Sequence, residues 1–247
     1  MKLHEALGIT PGDVVAFVGA GGKTGAILAV SNGLQRAGMK VLVAPTTKMM
    51  LGEVDEIGPL VTSDDAGELR EKTAKALSGS PAVVAGSGML SKNRVGGVDP
   101  GWIGDLARLV DVVLVEADGS RHRPIKGTAD HEPALPDAAT LVVAVANVRA
   151  LGTPVDEEHV HRPEVFSDLT GVGPGQSITP GAFATALARG SLARVGPTAR
   201  TAALITGVEP GRSMSDASVI TRELWRCSVK NVVLASLPNS PPRVWVP

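Results

Sequence analysis

Tyrosine is absent from this 247-residue sequence, and only three phenylalanines and three tryptophans are present. So few rings leave little on which a base could stack, which disfavours single-stranded nucleic acid as a ligand. A lone cysteine, Cys227, excludes both an internal disulfide framework and a multi-cysteine zinc site; it reads as a small buried hydrophobe rather than a nucleophile. Neither sign of charge dominates. Lys and Arg total 24 against 25 Asp and Glu, a formal charge of -1, so no basic excess exists to neutralise a nucleic-acid backbone. No apolar run approaches the roughly 20 residues that cross a bilayer. Met1 to Gly12 carries Lys2, His4 and Glu5 and no apolar stretch of the signal-peptide kind. The expectation is a soluble, cytoplasmic protein that binds neither nucleic acid nor membrane.

What is abundant points the same way. The sequence is 43% hydrophobic with 29 glycines, so Val, Ala, Leu and Ile must fill the core. Such a core suits parallel strands covered on both faces by helices. Apolar runs at Asp13–Val18, Lys40–Ala44, Pro81–Ala85, Asp111–Glu116 and Thr140–Ala146 predict strands, with helices at Lys23–Ala37, from Asp64 or Asp65 to about Leu77, and from Asp99-Pro100 to about Leu109. Gly86–Val98 predicts a loop or small hairpin. From about residue 150 the rhythm loosens. Short helices near Pro163–Leu169 and Pro180–Ala188 precede a strand at Thr201–Thr206, a helix at Ser215–Arg226 and a strand at Val232–Ser236, and the proline-rich tail from Pro238 lies extended on the surface. The fold class expected is three-layer α/β with a mostly parallel sheet, one domain over 1–247 whose portion beyond about 150 forms a looser subdomain.

The segment Gly19-Ala20-Gly21-Gly22-Lys23-Thr24-Gly25 falls where the first strand ends and the first helix begins. Unpaired amides of a first helical turn attract anions, and glycines let the backbone wrap an oxyanion without Cβ clashes. Lys23 adds a charge for the outer phosphates, and the Thr24 hydroxyl suits Mg²⁺. The expected ligand is therefore ATP or GTP with Mg²⁺. The pattern is the shortened G-x-x-G-K-T, because Phe17 stands where the full phosphate-loop motif has its first glycine. A dinucleotide site is disfavoured twice over: Thr24 replaces the third glycine of that fingerprint, and the second strand ends Val43-Ala44-Pro45-Thr46 with no acid for a ribose.

Parallel sheets carry their functional groups at the carboxyl ends of strands. The second strand ends in Thr46-Thr47-Lys48 and the fourth in Glu116-Ala117-Asp118-Gly119. A carboxylate held at the end of an apolar strand can anchor a metal or orient a water. Gly119 lets the chain turn sharply after Asp118, which favours Asp118 as the metal partner and Glu116 as the water-positioning group, with the reverse assignment open. Arg121, Arg123 and Lys126 come next in the chain as a clamp for an anionic second substrate or a transferring phosphoryl group, or else as a solvated loop. His131 and Glu132 form a candidate acid/base pair. Glu157 and Glu158 suit the first turn of a helix, and His159 and His161 would diverge too far on it to share a metal.

Several segments occur together in a recognisable order: Val15–Gly25 (VAFVGAGGKTG), Ala44–Met49 (APTTKM), Val115–Gly127 (VEADGSRHRPIKG), His131–Pro136 (HEPALP) and HRPEVF with LTG across 161–171. In these the sequence resembles the YqeC-type accessory proteins of selenium-dependent molybdenum hydroxylases, also called selenium cofactor biosynthesis proteins, over about two-thirds of its length. The resemblance implies a P-loop fold and a nucleotide-binding protein that helps mature a selenium-containing molybdenum centre. Selenophosphate or the molybdenum cofactor would then be the second ligand, and a molybdenum hydroxylase the partner. Gly25 stands where the family has a second Thr, and Thr206-Gly207-Val208-Glu209 stands where a base-recognition segment is usual, leaving adenine against guanine open. Three functions are compatible with these residues: an NTP hydrolase or phosphotransferase, a nucleotide-gated chaperone or cofactor carrier without turnover, and a Mur-like or lipid-type small-molecule kinase.

Overall fold

The structure, a computed structural model, describes residues 1–50, 52, 56–237 and 242–247. After a short helix α1 (Leu3–Ala6), strand β1 (Val14–Gly19) runs straight into helix α2 (Lys23–Arg36). Every residue of β1 is buried. Its alternate side chains enter opposite layers, with Val14, Ala16 and Val18 packed in one cluster and Val15 and Phe17 in the other. Both faces of the sheet are therefore covered, and this is why the strand reads as an unbroken apolar run.

Eight further strands complete the described sheet: β2 (Val41–Val43), β4 (Leu60–Thr62), β5 (Ala82–Gly86), β8 (Val112–Glu116), β10 (Leu141–Asn147), β12 (Arg200–Thr206), β13 (Val232–Ser236) and β14 (Arg243–Trp245). Their order is β14-β13-β12-β10-β1-β8-β2-β5-β4. Every pairing is parallel except β13 with β14. One face is covered by α1 and α2 through Leu3, Leu7, Ile27, Val30 and Leu34. The other is covered by α3 (Ala66–Leu77), α4 (Ile103–Ala107), α5 (Pro163–Thr170), α6 (Pro180–Thr185) and α7 (Arg212–Arg226), through residues such as Leu69, Leu106, Phe166, Phe183 and Ile220. This is the three-layer α/β arrangement the composition required. The central position of β1 places the glycine-rich turn in the middle of the sheet's carboxyl edge.

Caps act where the sequence put them. The Asp65 carboxylate accepts from the Glu68 amide at 2.8 Å, and Asp99 accepts from Gly101 at 2.8 Å ahead of Pro100. Four segments differ from expectation. The helix after Asp99 opens with a 3-10 turn (Pro100–Trp102), whereas Gly86–Val98 forms the small hairpin expected of it, β6 (Met89–Ser91) with β7 (Arg94–Val95), and also takes up β3 (Met49–Met50). Leu60–Thr62 is a half-buried edge strand too short to show a period. Arg243–Trp245 adds an antiparallel edge strand, while 238–241, the start of the expected tail, lie outside the described residues. No helix starts at Glu157: Asp156 Oδ1 accepts from the Glu158 and His159 amides at 3.0 and 2.9 Å, closing a turn that leads into β11 (Val160–His161), which pairs with β9 (Ile125–Lys126). An Asx turn satisfies those amides as well as a helix would, and the short strand beyond it takes the chain away. Among the described residues no helix is long and apolar enough to cross a membrane.

Candidate functional site

At Gly19 and Gly21 the turn between β1 and α2 leaves no room for a side chain. Gly19 has φ +92, and a Cβ there would stand 2.4 Å from the Val145 carbonyl oxygen; Gly21 has φ +71, and a Cβ would meet the Asn147 amide and the Pro124 carbonyl at 2.5 Å. Two neighbouring segments thus press directly on the loop. Ala20 donates to the Val145 carbonyl at 2.8 Å, the Gly19 amide to Asp118 Oδ2 at 2.9 Å, and Thr206 Oγ1 to the Gly21 carbonyl. Gly22, at φ +125, is the N-cap of α2. The amides of Lys23, Thr24 and Gly25 have no carbonyl of their own helix to bond, by the geometry of a helix start. They face a cavity of about 620 Å³ that Gly21, Gly22, Lys23, Thr24 and Gly25 line together with Glu116, Ser120 and Asn147.

The two acids of the fourth core strand have separate tasks. Glu116, the last residue of β8, reaches the start of α2, where Thr24 Oγ1 donates to Glu116 Oε2 at 3.0 Å. Asp118 is fully buried. Besides the Gly19 amide it meets Lys23 Nζ, 3.2 Å from Oδ1 but without hydrogen-bond alignment, and Lys126 Nζ, 3.0 Å from Oδ2. Lys23 turns inward, donating to the Gly19 carbonyl at 2.7 Å. Lys126 continues the network to the Gly119 carbonyl at 2.9 Å and to Glu132 Oε2 at 2.6 Å, and Arg162 holds Glu132 with its two terminal guanidinium nitrogens at 2.5 and 3.1 Å. Two carboxylates and three cations therefore run from the glycine-rich turn to the segment before α5.

These contacts shift the titrations. Burial alone would raise the Glu132 carboxyl, but the hydrogen bonds from Arg162 and Lys126 outweigh it and hold the group down to about 2. Burial lowers the His161 imidazole to about 4, with the charges of Lys126 and Arg162 pushing the same way. At neutral pH Glu132 is therefore ionised and His161 neutral.

The other expected residues divide. Lys48 and Arg121 line the cavity and are exposed. Thr46 Oγ1 donates to the Ala134 carbonyl at 2.9 Å, fixing the loop after β2, and Thr47 Oγ1 is buried without a hydrogen-bond partner among the described residues. Lys126 is buried in the ion network instead of facing a ligand. Arg123 and His131 are not among the lining residues, and His131 is exposed, its neighbour Glu132 occupying the interior position. His159 bonds Asp156 through Nδ1 at 2.7 Å, away from His161.

Arg94, Asn147, Arg149, His161 and Arg162 join the cavity wall without having been singled out as ligands. The Arg162–Glu132 pair spans 30 residues of sequence, so no local pattern announces it. The surest signal lay in the segment HRPEVF itself, whose Arg162 sits at φ +59 immediately before Pro163.

The comparisons with known proteins agree on one family. A profile described as YqeC protein matches residues 15–164, which hold the glycine-rich turn, Glu116, Asp118 and the ion network. The sequence is similar to the uncharacterized protein YqeC of Escherichia coli (strain K12), 34% identical over 167 residues, 67% of this chain. The matched stretch spans 63% of that relative's length. The profile spans every residue that lines the cavity, and the chain belongs to the YqeC family.

Proposed function

We propose that the protein binds ATP or GTP with Mg²⁺, the phosphates seated on the amides of Gly21 to Gly25 and the cation shared between the nucleotide and Thr24 with Glu116. The observation that carries this reading is the 3.0 Å contact of Thr24 Oγ1 with Glu116 Oε2 at the start of α2. A hydroxyl and a carboxylate are hard oxygen donors of the kind Mg²⁺ takes, and both lie beside amides suited to phosphate. Among the described residues no three His, Cys, Asp or Glu side chains form a metal cluster; a cation held here would draw further oxygens from the ligand, as Mg²⁺ does with nucleotides. In this reading Glu116 takes the metal role first expected of Asp118, and Asp118 takes a structural one. Glu116 is the metal partner, and Asp118 organises the loop through the Gly19 amide, Lys23 and Lys126.

In this reading Lys23 leaves the Gly19 carbonyl when phosphate arrives, and catalysis consists of positioning and charge neutralisation, as in other phosphoryl transfers. Family membership supports an accessory role in maturing a selenium-dependent molybdenum hydroxylase. The inward resting position of Lys23 favours a second reading, a nucleotide-gated carrier with little turnover. Calorimetry with Mg-ATP and Mg-GTP tests the common core: binding is expected to strengthen with Mg²⁺ in the wild type and to lose that enhancement in Thr24→Ala. A protein that binds neither nucleotide, or a Thr24→Ala variant indistinguishable from wild type, overturns it. Phosphate release that stays at background with selenophosphate or an apo-hydroxylase added selects the carrier.

A further inference from the structure

The cavity beside the glycine-rich turn holds more positive charge than one Mg-bound triphosphate calls for. Beyond Lys23, its wall carries Lys48, Arg94, Arg121 and Arg149. They come from four separate places: the loop after β2, strand β7, the turn after β8, and the short turn after β10. All four are exposed, and none forms a salt bridge among the described residues. Like charges converging on one concavity repel unless an anion joins them, and water-screened surface lysines and arginines normally spread apart.

The backbone around them is held in an unfavourable conformation. Among the described residues four non-glycine residues have positive φ, and three of them, Arg121 at +49, His122 at +60 and Arg162 at +59, line this cavity. A left-handed conformation costs each such residue on the order of 1 kcal/mol or more, and such residues concentrate where a binding geometry is imposed. Two in succession turn the chain after Asp118 so that Arg121 and His122 border the space instead of running along the surface. Met49 and Met50 line it as well, giving an adaptable apolar wall next to the charges.

We infer that Lys48, Arg94, Arg121 and Arg149 bind a second anion in this cavity, a phosphorylated small molecule with an apolar body, held beside the nucleotide. Its charged group takes the arginines, whose planar forks match phosphate oxygens in bidentate fashion, and its body rests on Met49 and Met50. This departs from the clamp of Arg121, Arg123 and Lys126 expected from the sequence: Lys126 is spent on Asp118 and Glu132, and Arg94 and Arg149 take its place. The inference rests on the nucleotide reading only for the cavity's other occupant.

Inorganic pyrophosphate is a suitable probe, titrated calorimetrically into wild type, Arg121→Ala/Arg149→Ala and Thr24→Ala, each with and without saturating Mg²⁺ and a non-hydrolysable ATP analogue. The expected result is a pyrophosphate site that remains available with nucleotide bound, weakened at least about tenfold by the double substitution and unchanged by Thr24→Ala, with nucleotide affinity within about twofold of wild type in the double variant. Pyrophosphate that competes with nucleotide for one site, or a double substitution that leaves pyrophosphate binding unaltered, overturns the inference. If no nucleotide binds, the proposed function fails alone: pyrophosphate binding that depends on Arg121 and Arg149 but not on Thr24 still upholds the second site, and no pyrophosphate binding to any form overturns it. Circular dichroism of the double variant confirms that lost binding is not lost folding.

Discussion

Lys126 and Asp118 form an ion pair from which solvent is excluded, Nζ standing 3.0 Å from Oδ2 with the two side chains 1% and 0% exposed. Burying both charges is costly, and the pair is tolerable because each has further partners: Asp118 has the Gly19 amide and Lys23, and Lys126 has Glu132 and the Gly119 carbonyl. The consequence is mechanical as well as energetic. The carboxylate that ties the glycine-rich turn to β8 is tied in turn to β9 and, through Glu132 and Arg162, to the start of α5.

Asp118→Asn should therefore cost about 3–5 kcal/mol, because it leaves Lys23 and Lys126 facing one another across a buried neutral amide. Lys126→Met should cost less, since Asp118 keeps Lys23 and Glu132 keeps Arg162. Denaturant unfolding of both variants measures the order. A Lys126→Met protein less stable than Asp118→Asn contradicts the assignment of Asp118 as the centre of the network.

Two glycines, one in the glycine-rich turn and one in the first turn of α2, should respond oppositely to alanine. At Gly21 the added Cβ meets backbone at 2.5 Å and the residue is held at φ +71, so Gly21→Ala should destabilise by roughly 1–3 kcal/mol and displace the loop. Gly25 lies within α2 with only Leu237 Cδ1 at 3.6 Å. There alanine gains helix propensity and stability should hold or rise by up to about 1 kcal/mol. Thermal melts of the two variants separate these outcomes.

Acid should weaken the fold in two stages. His161 binds its proton at about 4 in the folded state and near 6.5 when unfolded, so stability falls as pH drops from 6.5 toward 4. Glu132 is depressed from 4.5 to about 2; its contribution is complete above 4.5 and disappears as pH falls to 2. His161→Gln should flatten the first stage and Glu132→Gln the second, read from melting temperature against pH. A Glu132→Gln profile parallel to wild type below pH 4.5 rejects the assigned cause.

Phe17 fills the layer between β1 and α2 and is fully buried in a chain with only three phenylalanines. Phe17→Ala should cost about 3–5 kcal/mol through the cavity it leaves. It also lies near the end of β1, on an edge shared with Glu116, to which it is register-paired. Calorimetric unfolding gives the loss, and a change below about 1 kcal/mol contradicts the packing described.

What one sequence determines here is what local physics determines. Val14–Gly19 is apolar throughout because both faces of a central parallel strand are covered, Asp65 and Asp99 cap the helical turns after them, and Gly19 to Thr24 can form little but a tight turn before a helix. The same logic brought Glu116 and Asp118 to the sheet edge that carries the turn. Tertiary structure decided which acid faces the hydroxyl and which is buried, since Glu116 and Asp118 are two residues apart and either could have pointed to Thr24. It also decided that Glu132 points in and His131 out, and that Lys126 belongs to an ion network while Arg94 and Arg149 border the cavity. Several of those choices rest on pairs far apart in sequence, Arg162 with Glu132 at 30 residues and Gly19 with Asp118 at 99 among them, although Lys126 meets Asp118 and Glu132 at only 8 and 6. No periodicity or spacing records such pairs, because their energy is released only when the sheet has brought separate loops to one edge.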